Sequence, residues 1–220
     1  MATFVVRVWI PDRPGALGAV ASRIGAVRGD VVGIDILERG AGRAIDELVV
    51  DLPEASLVEL MVGEINEVDG VDVEEVRPLA GEWIDPRVEA LESAAVISEQ
   101  MTCAELLTML AERAAHDFGA DWAAVVGTAS ADVVSWGTPP SRPWLEAFAF
   151  GSDVAGADAG PDDVVCAGMP HARVSLVLGR SGRPFRARER RQLAALARIA
   201  DARWVALAVA PSRAAHPSAG

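Results

Sequence analysis

The segment "IPDRPGALGAV", which begins at Ile10, combines an acidic side chain with a Pro-Gly pair and the start of a helical pattern. A carboxylate at Asp12 can pair with an ammonium group. Gly15 allows a ligand to approach the backbone closely. The unpaired N–H groups at the start of a helix suit a carboxylate. The turn therefore has the chemistry to hold a molecule that carries both an ammonium and a carboxylate.

The four residues of "DRPG", Asp12 to Gly15, are also typical of turns and of helix starts. Asp12 can act as a helix cap. Pro14 fits the first turn of a helix because its missing N–H would lack an intrahelical partner there. Gly15 can be required by geometry alone. The residues thus leave two interpretations open, a small-ligand site and a structural or dimerising turn.

Apolar patterns place a strand before this turn and a helix after it. Side chains alternate from Phe4 to Ile10, which predicts a strand that ends at Pro11. Four apolar residues after the turn share one helical face and predict a helix to about Arg28, where Gly29 would end it in a left-handed conformation. Those four residues are Leu17, Val20, Ile24 and Val27.

Four more elements complete this part of the chain. The patterns predict strands over 31–38 and 44–52, joined as a hairpin by the turn "RGAGR". A helix follows over about 54–67, and "VDVEEVRP" is a fourth strand. The order β-α-β-β-α-β predicts a ferredoxin-like antiparallel sheet with two helices on one face.

A strand that ends in "DRPGAL", followed by a helix, a Gly-containing turn and a hairpin, resembles an ACT domain over about residues 3–78. The resemblance implies a small regulatory module that pairs side by side with a second copy through its sheet. It also implies an amino acid or similar effector bound at that interface. In amino-acid-binding members an Asn commonly lies just before the second strand, and this chain has Asp30 there, or Val31 if Gly29 is aligned with the family glycine.

The resemblance implies one set of ligand-binding residues on two sides of the interface. Backbone N–H groups at Gly15 and its neighbours would hold the carboxylate of the effector, and Asp12 and Asp30 would face its ammonium. The full predicted set is Asp12, Arg13, Pro14, Gly15, Ala16, Leu17, Asp30 and Val31.

The second half has a different pattern of elements. Two helices are predicted with a break near Met101, and Thr102 with Glu105 forms a capping-box pattern for the second. Two strands, a short helix in "PPSRPWLEAFAF", an acidic loop over 151–163 and two further strands follow. The segment "RPFRARERRQLAALARIADARW" is predicted to be the closing helix.

The segment "VSLVLGRSGRPFRARERRQLAALARIA" carries a resemblance to a GAF-type sensor domain over about 90–208. This implies an α+β domain with an antiparallel sheet and a structural or interaction role. The Asn-containing motif of nucleotide-binding members is absent because Asn66, in the first half, is the only asparagine. The predicted organisation is an ACT-like domain over 1–79, a linker over 80–88, a GAF-like domain over 89–210 and a disordered tail over 211–220.

Other candidate chemistry is weaker. Cys166 and His171 are close in sequence, but a nucleophilic pair needs the imidazole within hydrogen-bond reach, and no third group or oxyanion hole is evident. A buried core cysteine is the favoured interpretation. His116 suits the C-terminus of a helix. The arginines of "RSGRPFRARERRQ" are predicted to lie on a solvated helix face with acidic partners, and the six tryptophans are more typical of cores than of a pocket.

Composition excludes several classes of function. The net charge of −12 argues against binding to nucleic acid or to an anionic membrane. No apolar run approaches the roughly 18 residues of a membrane span, and the N-terminal residues show no signal-peptide pattern. Cys103 and Cys166 fit no metal-binding spacing and are expected to be reduced thiols in a cytoplasmic protein. The bias toward Ala, Val, Gly, Arg and Asp suggests a bacterial source with a GC-rich genome.

The sequence therefore predicts a cytoplasmic, non-enzymatic regulatory or sensor protein that binds a small amino acid or related metabolite as a homodimer. No catalytic residue, metal site or cofactor is predicted, and neither is a nucleic-acid or membrane partner. The alternative is a ligand-free module for dimerisation or protein interaction. An enzyme that uses Cys166 ranks third, and no sequence feature supports it.

Overall fold

The structure is a computed structural model that describes residues 1–79, 81, 83–127, 134–155 and 160–209, without the side chains of 153–155. The chain divides into two units, the first formed mainly by Met1–Asp85 and the second mainly by residues from Pro86 onward. Both units are α+β and each contains one antiparallel four-stranded sheet. Among the described residues, no helix has the length and apolar character needed to span a membrane.

The first unit has the predicted β-α-β-β-α-β order and a ferredoxin-like topology. The elements are β1 (Ala2–Pro11), α1 (Ala16–Ala26), β2 (Asp30–Gly40), β3 (Arg43–Leu52), a 3-10 turn (Ala55–Leu57), α2 (Val58–Asn66) and β4 (Asp72–Pro78). The sheet order is β2-β3-β1-β4, with every neighbouring pair antiparallel.

Alternate residues of the two central strands face the helices and form the core of this unit. Val6 and Val8 of β1 and Leu48 of β3 are almost completely buried, in one cluster with residues of both helices. Burial of each such side chain stabilises the fold by about 1.5–3 kcal/mol. The helix residues of the cluster are Ala16, Val20, Ile24, Met61 and Ile65.

The ends of α1 differ from the prediction. The helix begins at Ala16, after a left-handed Gly15, rather than at Pro14. At the other end the left-handed residue is Arg28 (φ 63°) and not Gly29. Gly29 is needed for space instead, because a Cβ there would lie 2.8 Å from Cγ2 of Ile24 and 3.1 Å from Cδ2 of Leu52.

The second unit has helices on both faces of its sheet. Its elements are α3 (Pro86–Glu99), α4 (Cys103–Asp117), β5 (Trp122–Gly127), β6 (Val134–Gly137), α5 (Arg142–Ala155), β7 (Val164–Met169), β8 (Val174–Gly179) and α6 (Ala187–Val209). The sheet order is β6-β5-β8-β7. Alternate residues of β8 separate the two faces, since Leu176 and Leu178 join the core cluster with α3, α4 and α6, whereas Val177 joins the cluster with α5.

Several expectations for the second unit are confirmed and others are corrected. The break near Met101 is present, and Thr102 forms the predicted capping box, with Oγ1 accepting from the Glu105 N–H at 3.2 Å. The first residues of the predicted loop 151–163 belong to α5 instead, which continues to Ala155. Helix α3 begins at Pro86, within the segment predicted to be a linker. The predicted tail over 211–220 lies outside the described residues.

Candidate functional site

The Asp12–Gly15 turn lies exposed at one end of the first sheet. The N–H of Asp12 donates to the carbonyl of Gly42 at 2.9 Å, which ties the turn to the β2–β3 hairpin. Gly15 has φ 87°, and no atom lies within 4 Å of the position that a Cβ would take. The glycine is therefore required by backbone conformation, and the space beside it is open.

The start of α1 offers backbone donors toward this space. Gly15 is the N-cap residue, and no side chain caps the helix, so the interpretation of Asp12 as a cap is wrong. The first turn contains no acidic residue. Within the described part of the chain, the N–H groups of Leu17 and Gly18 have no hydrogen-bond acceptor. These donors, together with the helix dipole, favour an anion at this end of α1.

The predicted site residues form two separate groups within one copy of the chain. Asp30 pairs with Asp51, which pairs with Thr3 at one end of the sheet. Asp12 directly follows Pro11, at the opposite end of β1. At about 3.4 Å per residue, the length of β1 between these ends is roughly 27 Å. One copy therefore brings together residues 12–17 but not Asp30 and Val31, which lie at the start of β2.

Strand β2 is an edge strand, paired only with β3 among the described strands. Its side chains Ile34 and Ile36 are 44% and 37% exposed. If two such edges paired antiparallel, they would run in opposite directions, so Asp30 of one copy would approach the Gly40 end of the other. That end adjoins the Asp12–Gly15 turn through the bond from Asp12 to Gly42.

Asp46 of β3 is a charged residue that the sequence analysis did not select. It lies on the helix-facing side of the sheet, is 4% exposed, and its Oδ1 has no hydrogen-bond partner among the described residues. Burial raises the pKa of Asp46 above its usual value. The nearby Arg39 opposes this increase, and Asp12 adds to it. The signal was present in "AIDELVVDL", because an acid interrupts the apolar alternation at a core position.

Cations near the turn are engaged with other acids. Arg43 pairs with Asp72 at 2.5 Å and also donates to the Gly70 carbonyl at 3.1 Å. Arg13 lies 3.6 Å from Asp69. Neither cation forms an ion pair with Asp12 or Asp46 among the described residues. This end of the first unit therefore combines backbone donors with two carboxylates that lack an ion-pair partner there.

The second unit contains a cavity of about 490 Å³ between α5 and the sheet. Its walls are mainly apolar, and Arg173 and Glu146 are its charged lining residues. Glu146 accepts from Arg142 at 2.7 Å. Arg173 is exposed and has φ 55°, which is unusual for a residue with a side chain. The apolar wall includes Val126, Ala149, Phe150 and Met169.

His171 is engaged with a carboxylate from α6. Its Nδ1 lies 2.7 Å from Oδ2 of Asp201, and the backbone N–H groups of His171 and Ala172 donate to the same carboxylate. Burial raises the pKa of Asp201, but these hydrogen bonds outweigh it and hold the pKa below its usual value. This arrangement anchors the β7–β8 turn to α6 and gives the His171 ring a carboxylate partner.

The remaining candidate residues form contacts with other residues of the chain. His116, in the last turn of α4, lies 3.3 Å from Glu89. Arg180 is buried rather than solvated, because it donates to the Phe118 carbonyl at 2.7 Å and pairs with Glu189 at 2.8 Å. Trp144 stacks on Phe148 with ring centroids 5.2 Å apart. Within the described ranges, no group of three or more His, Cys, Asp or Glu side chains could hold a metal ion.

Comparison with known proteins gives structural similarities at low sequence identity. No family model and no curated protein sequence matches the chain. The ACT domain of GTP pyrophosphokinase from Chlorobium tepidum matches with 14% identity and a TM-score of 0.29, over 38% of this chain and 91% of that one. The C-terminal domain of the MgtC protein from Mycobacterium tuberculosis matches with 18% identity and a TM-score of 0.30, over 39% and 93%.

A third solved structure covers more of the chain. An unknown protein from Galdieria sulphuraria matches with 12% identity and a TM-score of 0.34, over 70% of this chain and 92% of that one. At these identities and TM-scores, the similarities do not assign a function to the chain. The functional argument therefore rests on the geometry of the Asp12–Gly15 turn and its surroundings.

Proposed function

We propose that the chain is a non-enzymatic regulatory protein that binds a small amino acid or related metabolite through its ACT-like first unit. The observation that carries this proposal is the open space beside the left-handed Gly15, next to the N–H groups of Leu17 and Gly18. An α-carboxylate would accept hydrogen bonds from these donors, and Asp12 would accept from the ammonium group.

Two copies of the chain would complete the site. Antiparallel pairing of two β2 edges would bring Asp30 and Val31 of one copy toward the Asp12–Gly15 turn of the other. The exposed side chains of Ile34 and Ile36 on this strand support an interface there. Effector binding would then favour the paired state. Pairing would change how the second unit contacts a partner protein in the cytoplasm.

The first test is a thermal-shift screen of the full chain against the twenty amino acids. A ligand that binds only the folded state at 100 times its Kd adds about 2.7 kcal/mol of stability. We expect one or a few amino acids to raise the midpoint, and Asp12→Asn to remove that shift. Glu59→Gln is a matched control because it removes one exposed acid from α2, outside the proposed site.

The alternative proposal is a ligand-free dimerisation module that uses the same β2 edge. It predicts a dimer in analytical ultracentrifugation that no amino acid strengthens, and an Asp12→Asn variant that behaves like the parent protein. Ile34→Lys would dissociate that dimer because it places a charge on the pairing edge. A dimer that tightens with an amino acid would favour the sensor instead.

For the second unit, we propose a GAF-like domain that binds a small, largely apolar molecule in the cavity beside α5. Its volume of about 490 Å³ lies within the range of ligand pockets, roughly 300–1,000 Å³. Arg173 would pair with an acidic group of that molecule at the edge of the apolar wall. A fluorescent fatty-acid analogue tests this, since it should brighten on binding and lose affinity in the Ala149→Trp variant.

A further inference from the structure

Asp46 is a buried carboxylate close to the Asp12–Gly15 turn. It lies in β3 opposite Val8. Ala44, two residues nearer to the turn, pairs with Ile10. The strand residues that share its side, Leu48 and Val50, pack in the core cluster with α1. Asp46 therefore faces the helix layer at the end of the sheet where α1 begins.

A carboxylate in this position destabilises the free protein. Asp46 is 4% exposed, and its Oδ1 has no hydrogen-bond partner among the described residues. A buried polar atom without a partner loses its hydration and gains nothing in return. An apolar side chain would suit this core position better, so a ligand that supplies a partner would compensate for the loss.

The charges at this end of the unit indicate what kind of ligand would supply it. The start of α1 favours one carboxylate, and Asp12 offers a partner for one ammonium group. Asp46 then remains as a second carboxylate. Arg13 and Arg43 form ion pairs with Asp69 and Asp72 instead. Arg39 is near enough to lower the pKa of Asp46, but it forms no ion pair with Asp46 among the described residues. A neutral amino acid brings only one cation and leaves Oδ1 of Asp46 without a hydrogen-bond partner.

We propose that Asp46 receives the side-chain cation of a basic amino acid whose carboxylate lies at the start of α1 and whose α-ammonium lies at Asp12. The ligand class is a compound with one carboxylate and two cationic groups. This inference rests on the proposed effector site, and it makes Asp46 the residue that determines the specificity of that site.

The test compares L-lysine with L-norleucine, which has the same carbon skeleton but lacks the ε-ammonium. Isothermal titration of the full chain should give at least tenfold tighter binding of lysine. Asp46→Asn should weaken lysine binding at least tenfold and leave norleucine binding unchanged. The control Glu59→Gln removes the same charge from an exposed position of α2 and should leave the preference for lysine intact.

A second measurement does not need the ligand. The melting temperature of the free Asp46→Val variant should rise, because the change removes a desolvated carboxylate and adds a residue favoured in strands. A lower melting temperature together with unchanged lysine binding would show that Asp46 is structural, which overturns the proposal.

The outcomes also separate this inference from the proposed function. If the protein prefers norleucine or another neutral amino acid, the role of Asp46 is refuted and the effector site stands. If neither lysine, ornithine, arginine nor any neutral amino acid binds, the effector site and the role of Asp46 both fail.

Discussion

Substitution of Gly15 by alanine separates the backbone requirement at the turn from any requirement for space. Gly15 has φ 87°, and nothing lies within 4 Å of a Cβ built there. Alanine would therefore meet no clash but would be forced into the left-handed region, at a cost of about 1–2 kcal/mol. Gly18 is the matched control, because its surroundings are equally open and its φ is not positive. Gly18→Ala should stabilise α1 by about 0.5–1 kcal/mol.

Equilibrium unfolding in urea, followed by circular dichroism, measures both changes. With a slope of about 1–3 kcal/mol per molar urea, the two variants should move the midpoint in opposite directions, and Gly15→Ala should lower it by roughly 0.3–2 M. Equal midpoints for the two variants would refute the argument that backbone conformation selects glycine at position 15. Amino-acid binding measured on the same Gly15→Ala protein then shows whether the added methyl group also occupies the space proposed for the ligand.

Three further predictions concern the second unit. Thr102→Ala should cost about 1 kcal/mol in urea unfolding because it removes the capping box of α4, and Thr102→Ser should retain most of that stability. Asp201 has a lowered pKa in the folded state, so its stabilising effect is complete above the ordinary carboxyl pKa near 3.9. That effect is lost as the pH falls through the lower pKa of the folded state. Asp201→Asn should therefore reduce the dependence of unfolding free energy on pH below about pH 4. Arg173→Gly should relieve strain of about 1 kcal/mol or more at φ 55° and raise the melting temperature, while it weakens binding of an acidic apolar probe; a lower melting temperature would contradict the strain.

The order of elements in the first unit could be predicted because period-two and helical patterns are properties of the sequence itself. The ends of α1 could not. Glycines at 15 and 29 look alike in the sequence, but one provides a left-handed conformation and the other a close contact with Ile24 and Leu52. That contact depends on a strand more than twenty residues away, which no local pattern contains.

The site shows the same limit. The sequence identifies Asp12 and Gly15 because their chemistry is local, and it shows that Asp46 interrupts an apolar alternation. That Oδ1 of Asp46 has no hydrogen-bond partner among the described residues depends on the packing of α1 over the sheet. Spacing along the chain also does not reveal that Asp12 and Asp30 lie at opposite ends of the first sheet. Their positions follow only from the register of the strands.

The separation of Asp12 from Asp30 has a consequence for how the proposed sensor would respond. If each complete site needs one residue from each of two chains, ligand binding and self-association are thermodynamically linked, and each strengthens the other by the same factor. The effector concentration that gives half-maximal response would then fall as the protein becomes more abundant. A cell would set the sensitivity of such a sensor through its expression level, without any change in the residues that contact the effector.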